Sequence, residues 1–161
     1  MTDLGFRMRR ARKKDVFDVH RIHTTSIREE CSSHYPPEIL EVWVDAFNPD
    51  NFPENIHRME FFVAELADAS LGGFLALDLP ARELESIYVA PWALGRGLGS
   101  FLLGFAEELA RKNGLQDLWL DSSLNAVSFY AGFGWHQVQR HARVRRGVEI
   151  PVVKMEKSLT S

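Results

Sequence analysis

A chain of 161 residues, 45% apolar and 25% charged, has the make-up of one globular domain long enough to enclose a core. Its 19 basic and 22 acidic side chains leave a net charge of −3, which argues against the global basic field of a sequence-blind nucleic-acid binder. Cys31 is the one cysteine, so no internal disulfide forms, and no run approaches the ~20 apolar residues of a membrane span; the expected setting is cytoplasmic, away from membrane and nucleic acid.

The N-terminal MTDLGFRMRRARKKD carries basic residues with no apolar run behind them, unlike a secretory signal. Within it Phe6–Ala11 suits an edge strand, and RRARKK (9–14) reads as the solvated lead into a helix rather than a nucleic-acid patch. Asp15 is placed to cap that helix, which carries Val16, Val19, Ile22, His23 and Ile27 inward and runs to about Cys31. After SSHYPP, residues 37–47 predict a second helix, and NPDNFPENIHR (48–58) is turn chemistry with one helical turn.

From residue 60 the pattern becomes strand-like. EFFVAEL (60–66) and GFLALDL (73–79) read as strands joined by the hairpin signal DASLGG, and RELESIYVA (82–90) as a third strand. Leu98, Leu102, Phe105 and Leu109 then form a helical stripe, which ends in the basic turn and C-cap Arg111, Lys112, Asn113, Gly114. LQDLWLD (115–121) is a buried strand, NAVSFYAGF (125–133) a short helix, and WHQVQRHARV with VEIPVVKMEK a closing strand pair around Arg145–Gly147. The order β-α-α-β-β-β-α-β-α-β-β describes a mixed sheet with helices, an α/β or α+β fold.

The stretch VAPWALGRGLGSFL (89–102) places glycines at 95, 97 and 99, directly before the helical stripe. Each costs roughly 0.5–1 kcal/mol of chain entropy relative to alanine. A helix N-terminus offers unpaired N–H groups and about half a positive charge, and glycines there let a phosphate approach the backbone. Arg96 adds a full charge in the same turn. No GxxxxGK[ST] loop occurs. The spacing GxGxG differs from the dinucleotide GxGxxG, and the strands before it form an antiparallel run rather than a first βαβ unit, although Asp121, 22 residues beyond Gly99, stands where a ribose-binding acid belongs.

IYVAPWALGRGLGSFLLGFAEELARKNG resembles the acyl-CoA signature of the GNAT superfamily of acetyltransferases, and FYAGFGW (129–135) resembles its second signature. The likeness runs from Phe6 to Lys157, and TTSIREECSSHYPPEILEVW (24–43) is similar to the acceptor-side helices of small bacterial members. It implies a mixed, mostly antiparallel sheet of about six or seven strands flanked by about four helices. It also implies direct transfer of an acetyl group from acetyl-CoA to a primary amine in a ternary complex. The cofactor contacts implied are Ile87, Tyr88, Val89, Leu94, Gly95, Arg96, Gly97, Leu98, Gly99, Ser100, Ser123, Ala126 and Phe129. Two of these depart from the family pattern: Leu94 replaces a Gln or Arg, for which Arg96 compensates, and Ser123 replaces an Asn. Asn125 is close in sequence but off that register.

An amine of pKa ~10.4 is almost wholly protonated at pH 7, so a base is required. Glu83 and Glu85 lead into the cofactor loop and share a face with Ile87 and Val89 if the strand stays regular; either is the candidate. The resemblance implies that the Val89 N–H stabilises the oxyanion, freed by a bulge near Tyr88 and a splay from strand 115–121, and that Tyr130 protonates the departing thiolate. His20, His23 and His34 lack acidic or cysteine partners at ligand spacing, so no metal is expected. The acceptor, a small-molecule or peptide amine, is flanked by 28–38 and 141–147, which are opposite in charge. Pairing through edge strands would give a homodimer. The competing readings are a non-catalytic acyl-CoA sensor of the same fold and an NAD(P)-linked oxidoreductase.

Overall fold

A computed structural model describes residues 5–160. The first four residues of the N-terminal segment discussed above lie outside the described residues. The strands β1 (Phe6–Arg10), β2 (Glu60–Leu66), β3 (Leu71–Asp78), β4 (Glu83–Val89), β5 (Asp117–Ser122), β6 (His136–Arg145) and β7 (Val148–Ser158) form one sheet in the order β1-β2-β3-β4-β5-β7-β6. Every neighbouring pair is antiparallel except β4 and β5.

The helices are α1 (Val16–Glu30), α2 (Pro37–Asp45), α3 (Phe52–Arg58), α4 (Leu98–Lys112) and α5 (Val127–Ala131). Pro37 opens α2 where its missing N–H costs nothing. The segment 48–58, read as turn chemistry with one helical turn, holds the seven-residue α3. Phe52, only 1% exposed, supplies the reason, since its ring packs edge-on to Phe61 at 5.3 Å and fixes the segment to the sheet.

Asp15 does not cap α1 through its side chain. It is buried, accepts two hydrogen bonds of 2.9 Å from the Arg9 guanidinium and accepts the Arg12 N–H at 2.7 Å. Arg9 also reaches Glu65 at 2.8 Å. The paired charge in β1 therefore shares this carboxylate with the 3-10 turn Lys13–Asp15, whose N-cap is Arg12 and which leads into α1.

The hairpin glycines lie inside β3 rather than in the turn, which is shortened to the residues between Leu66 and Leu71. A Cβ on Gly73 would stand 2.7 Å from the Tyr88 carbonyl and 3.1 Å from Leu102. One on Gly72 would stand 2.9 Å from Leu66. These positions let α4 settle directly on the sheet, a close approach that any side chain would block.

Opposite sheet faces carry different helices. Leu98 and Leu102 of α4 meet Gly73, while His23 of α1 meets the Tyr88 ring at 5.2 Å from the other side. A large core cluster spans both faces, and a second one, built on Ile27, Tyr35, Leu40, Val44, Ile150 and Val152, ties α1 and α2 to β7. No helix among the described residues is long and apolar enough to cross a membrane.

Candidate active site

α4 starts without a side-chain cap. Its first helical hydrogen bond runs from Phe101 N–H to the Gly97 carbonyl at 3.1 Å, so the amides of Leu98, Gly99 and Ser100 precede it. Gly95 and Gly97 have φ of +82° and +74°, and a Cβ at either would project into open space. Glycine meets the left-handed geometry at no steric cost and leaves the approach to those amides bare. Arg96, between two left-handed residues, is turned outward: it is exposed, its charge is felt by Asp68, and it does not wall the cavity described next. The compensation for Leu94 expected of it is therefore not built into the cavity.

β4 and β5 are in register at a single pair, Glu83 with Trp119, next to a bond from Trp119 N–H to the Arg82 carbonyl at 3.0 Å. Beyond that point they part around a cavity of about 590 Å³. Every cofactor residue chosen from the sequence lines it except Arg96. On the other edge of β4, Ala90 N–H bonds the Gly72 carbonyl at 2.8 Å while Gly73 stands opposite Val89. Hydrogen-bonded and non-hydrogen-bonded pairs alternate in an antiparallel ladder, so the main-chain groups of Ile87 and Val89 point away from β3, toward the opening. The Val89 carbonyl there accepts the Ser26 hydroxyl at 3.0 Å.

The bulge expected near Tyr88 lies three residues earlier. Ser86 faces Ala76 and Leu84 faces Leu77, which leaves Glu85 as the extra residue. The inserted residue reverses the alternation before it. Leu84, Ile87 and Val89 share one face, and Glu83 joins Ser86 and Tyr88 on the other, so Glu83 does not share a face with Ile87 and Val89 as expected. Glu83 is buried, 3.7 Å from Arg143, with Oε2 lacking any hydrogen-bond partner. Burial raises its pKa above the usual carboxylate range. Glu83 lines neither cavity of this site, whereas Glu85 lines both.

The second cavity, about 220 Å³, lies on the α1–α3 side of the sheet. Trp43, Glu85, Ser86, Tyr88 and Asp121 wall both cavities, so the two meet at β4. Asp121 is held by His141 Nε2 at 2.7 Å and stands 3.5 Å from Arg143. Of the two segments expected to flank the acceptor, 141–147 sends Arg143 and Arg145 into this cavity. Segment 28–38 instead gives Glu30 and Cys31 to the larger one. The reason is the Tyr35 hydroxyl, which donates to the Pro151 carbonyl at 2.6 Å and accepts the Leu124 N–H at 3.0 Å, fixing the end of α1 beside the turn that carries Ser123.

Tyr130 is 7% exposed and faces the larger cavity. Its ring packs on Phe129 and Trp135, its hydroxyl has no hydrogen-bond partner among the described residues, and burial raises its pKa well above that of a free phenol. Sequence reasoning missed Ser26, Trp43 and Asn125, all of which line the larger cavity. Asn125, set aside as off register, is close enough to Cys31 to hydrogen-bond it, and its Oδ1 is buried without a partner. Ser26 carried a usable signal, a hydroxyl on the apolar face of α1 next to Ile27.

His20 stacks on Phe47 at 4.9 Å, and the described residues contain no cluster of three or more His, Cys, Asp or Glu able to hold a metal. His23 is buried with Nδ1 unpartnered; burial, with a smaller effect of His20, lowers its pKa from 6.5 to about 4. The native chain keeps it neutral while the unfolded chain protonates it, so stability is lost as pH falls through this window. The expected loss is about 3 kcal/mol. Urea unfolding at pH 7 and pH 4 checks this, with His23→Leu showing the smaller difference between the two.

A family model described as an acetyltransferase (GNAT) domain matches residues 31–159. An uncharacterized N-acetyltransferase of Lactobacillus delbrueckii subsp. lactis is 29% identical over 135 residues, 65% of this chain and 78% of that protein. Among solved structures, a GCN5-related N-acetyltransferase from Rhodopseudomonas palustris superposes with a TM-score of 0.90 at 27% identity over 98% of both chains. The PaiA N-acetyltransferase of Thermoplasma acidophilum, solved in complex with coenzyme A, shares the fold with a TM-score of 0.75 at 24% identity, over 95% of this chain and 98% of that one.

Proposed function

Because the chain belongs to the GNAT acetyltransferase family, we propose that it is a single-domain enzyme that moves an acetyl group from acetyl-CoA directly onto a primary amine bound beside it. The observation that carries this reading is the meeting of two cavities at β4, one bordered by the bare amides of α4, the other by carboxylates and aromatic rings. The coenzyme A complex of the Thermoplasma relative supports the choice of cofactor.

The residues present fit that cofactor. Amides at the start of α4, approached past Gly95 and Gly97, suit its pyrophosphate, and the outward main chain of Ile87 and Val89 suits the amides of its pantetheine arm. The Ser123 hydroxyl and the unpartnered Asn125 Oδ1 add polar contacts along the same wall. Bound acetyl-CoA supplies the acyl group as a thioester. Glu85 would take a proton from the acceptor ammonium so that the neutral nitrogen can bond the acyl carbon, and the nitrogen's second proton would pass to water as the amide forms. The Val89 N–H would face the oxygen on which charge develops, and Tyr130 would give its proton to the sulfur as the carbon–sulfur bond breaks. Glu83, buried behind Arg143, positions that arginine rather than meeting substrate.

Calorimetry with coenzyme A, together with release of free thiol from acetyl-CoA over a panel of amines, tests the proposal. The wild-type chain is expected to bind coenzyme A and to release thiol only with an amine present. Gly97→Val forces a branched side chain into a left-handed backbone, at roughly 1–2 kcal/mol or more, and fills the approach to the amides. It is expected to weaken coenzyme A at least tenfold. Absence of binding heat in the wild type would refute the transferase reading, and binding without amine-dependent thiol release would favour the sensor.

A further inference from the structure

We infer that the acceptor is a small amine with an apolar body and an anionic group, such as a free amino acid, and that Arg145 binds the anion. This rests on the transferase reading and names the substrate class for the same site.

The carboxylates of the second cavity already have partners: Glu85 lies 3.6 Å from Arg58, which also holds Asp78 at 2.9 Å, and Asp121 is held by His141 at 2.7 Å and lies 3.5 Å from Arg143. Arg143 is shared further with Glu83 at 3.7 Å. Arg145 lines the same cavity but has no carboxylate partner among the described residues; its one hydrogen bond goes to the carbonyl of its neighbour Val144 at 2.9 Å. The next residue, Arg146, has a partner of its own in Asp45 at 3.7 Å. Of the two arginines that line the cavity, Arg145 is thus the one without a carboxylate partner among the described residues.

Position adds direction. Arg143 stands opposite Ile150 and Arg145 opposite Val148, so the two arginines project from the same face of β6, with Arg143 nearer Asp121. Successive same-face side chains on a strand are roughly 7 Å apart. An acceptor whose nitrogen meets Glu85 at the junction can thus lay an anion toward Arg145 across a floor made by Phe61 and Phe74, with Phe47 and Phe52 beside it. A guanidinium binds a carboxylate through two parallel hydrogen bonds, a geometry suited to this task. A polyamine would bring a second cation toward carboxylates that already have partners and toward an arginine that repels it. The volume, about 220 Å³, suits a molecule of one-residue size.

The test compares matched acceptors that differ by one carboxylate: phenylalanine with phenethylamine, leucine with isoamylamine, 6-aminohexanoate with pentylamine, and putrescine as the dication. The carboxylated member of the preferred pair is expected to have at least tenfold higher kcat/KM. Arg145→Gln is expected to shrink that advantage below threefold through KM, and Arg145→Lys to restore part of it. Preference for putrescine or for the plain amines, an advantage that survives Arg145→Gln, or no turnover of any of these acceptors by a chain that binds acetyl-CoA would each overturn the inference. Failure of the wild type to bind acetyl-CoA would overturn the transferase reading itself, and this inference with it.

Discussion

Tyr130→Phe is expected to lower kcat about a hundredfold while the KM for acetyl-CoA changes less than threefold. A thiol of pKa roughly 8.5 departs readily as a thiolate in water, but beside buried aromatic rings an unprotonated sulfur has less solvent to stabilise it, and a positioned donor is worth roughly 10²–10⁴ in rate. Tyr130 is suited to donate because burial raises its pKa and keeps the phenol protonated across the working range. Its hydroxyl has no other use, as no partner for it exists among the described residues and its ring is held by Phe129 and Trp135 independently of the oxygen. Loss of the oxygen should therefore leave the melting temperature unchanged, which separates a chemical role from a packing one. Unchanged kcat in steady-state assays of thiol release would remove Tyr130 from the reaction.

The second large effect is expected of Glu85→Gln, a fall in kcat of about a hundredfold at pH 7 that narrows as the pH rises. An acceptor amine of pKa ~10.4 is roughly one part in 2,500 neutral at pH 7 and roughly one part in 25 at pH 9. If Glu85 removes the proton, the variant depends on that self-supplied neutral fraction and recovers toward the wild type in alkaline buffer. A merely structural role for Glu85 would give a deficit constant across the range, and pH–rate profiles of the two proteins decide between them. Glu83→Gln serves as the contrast. Glu83 lies on the opposite face of β4 from Ile87 and Val89, 3.7 Å from Arg143, so its replacement is expected to act on KM for the acceptor more than on kcat.

The proposed cofactor half of the site can be read from the sequence because its determinants are local. Gly95, Gly97 and Gly99 sit within five residues of one another, directly before an apolar helical stripe, and each link from residue type to backbone geometry to anion binding is short-range. The order of elements was legible for the same reason, since each strand and helix carries its own period. The acceptor half was not. Its wall draws Phe47 from the end of α2, Phe61 and Phe74 from β2 and β3, and Arg143 and Arg145 from β6, and no spacing along the chain announces that convergence. The bulge at Glu85 was equally hidden. No glycine or proline marks it, because it arises from how β3 and β4 pair, and it takes Glu83 off the face shared by Ile87 and Val89. Asp15 misled for a related reason. A capping position is a local preference, and the Arg9 guanidinium and the Arg12 N–H hold this carboxylate instead.

The single point of contact between β4 and β5 divides the sheet into a four-stranded and a three-stranded leaf that share almost no ladder. What joins the leaves elsewhere is side-chain packing: the large core cluster takes residues from strands of both, and the smaller one carries α1 and α2 over to β7. Any molecule lodged along the parted edges takes the place of the absent rungs and mortars one leaf to the other. By mass action its binding energy is then also cohesion of the chain, so rigidity of the whole would follow the local supply of that molecule.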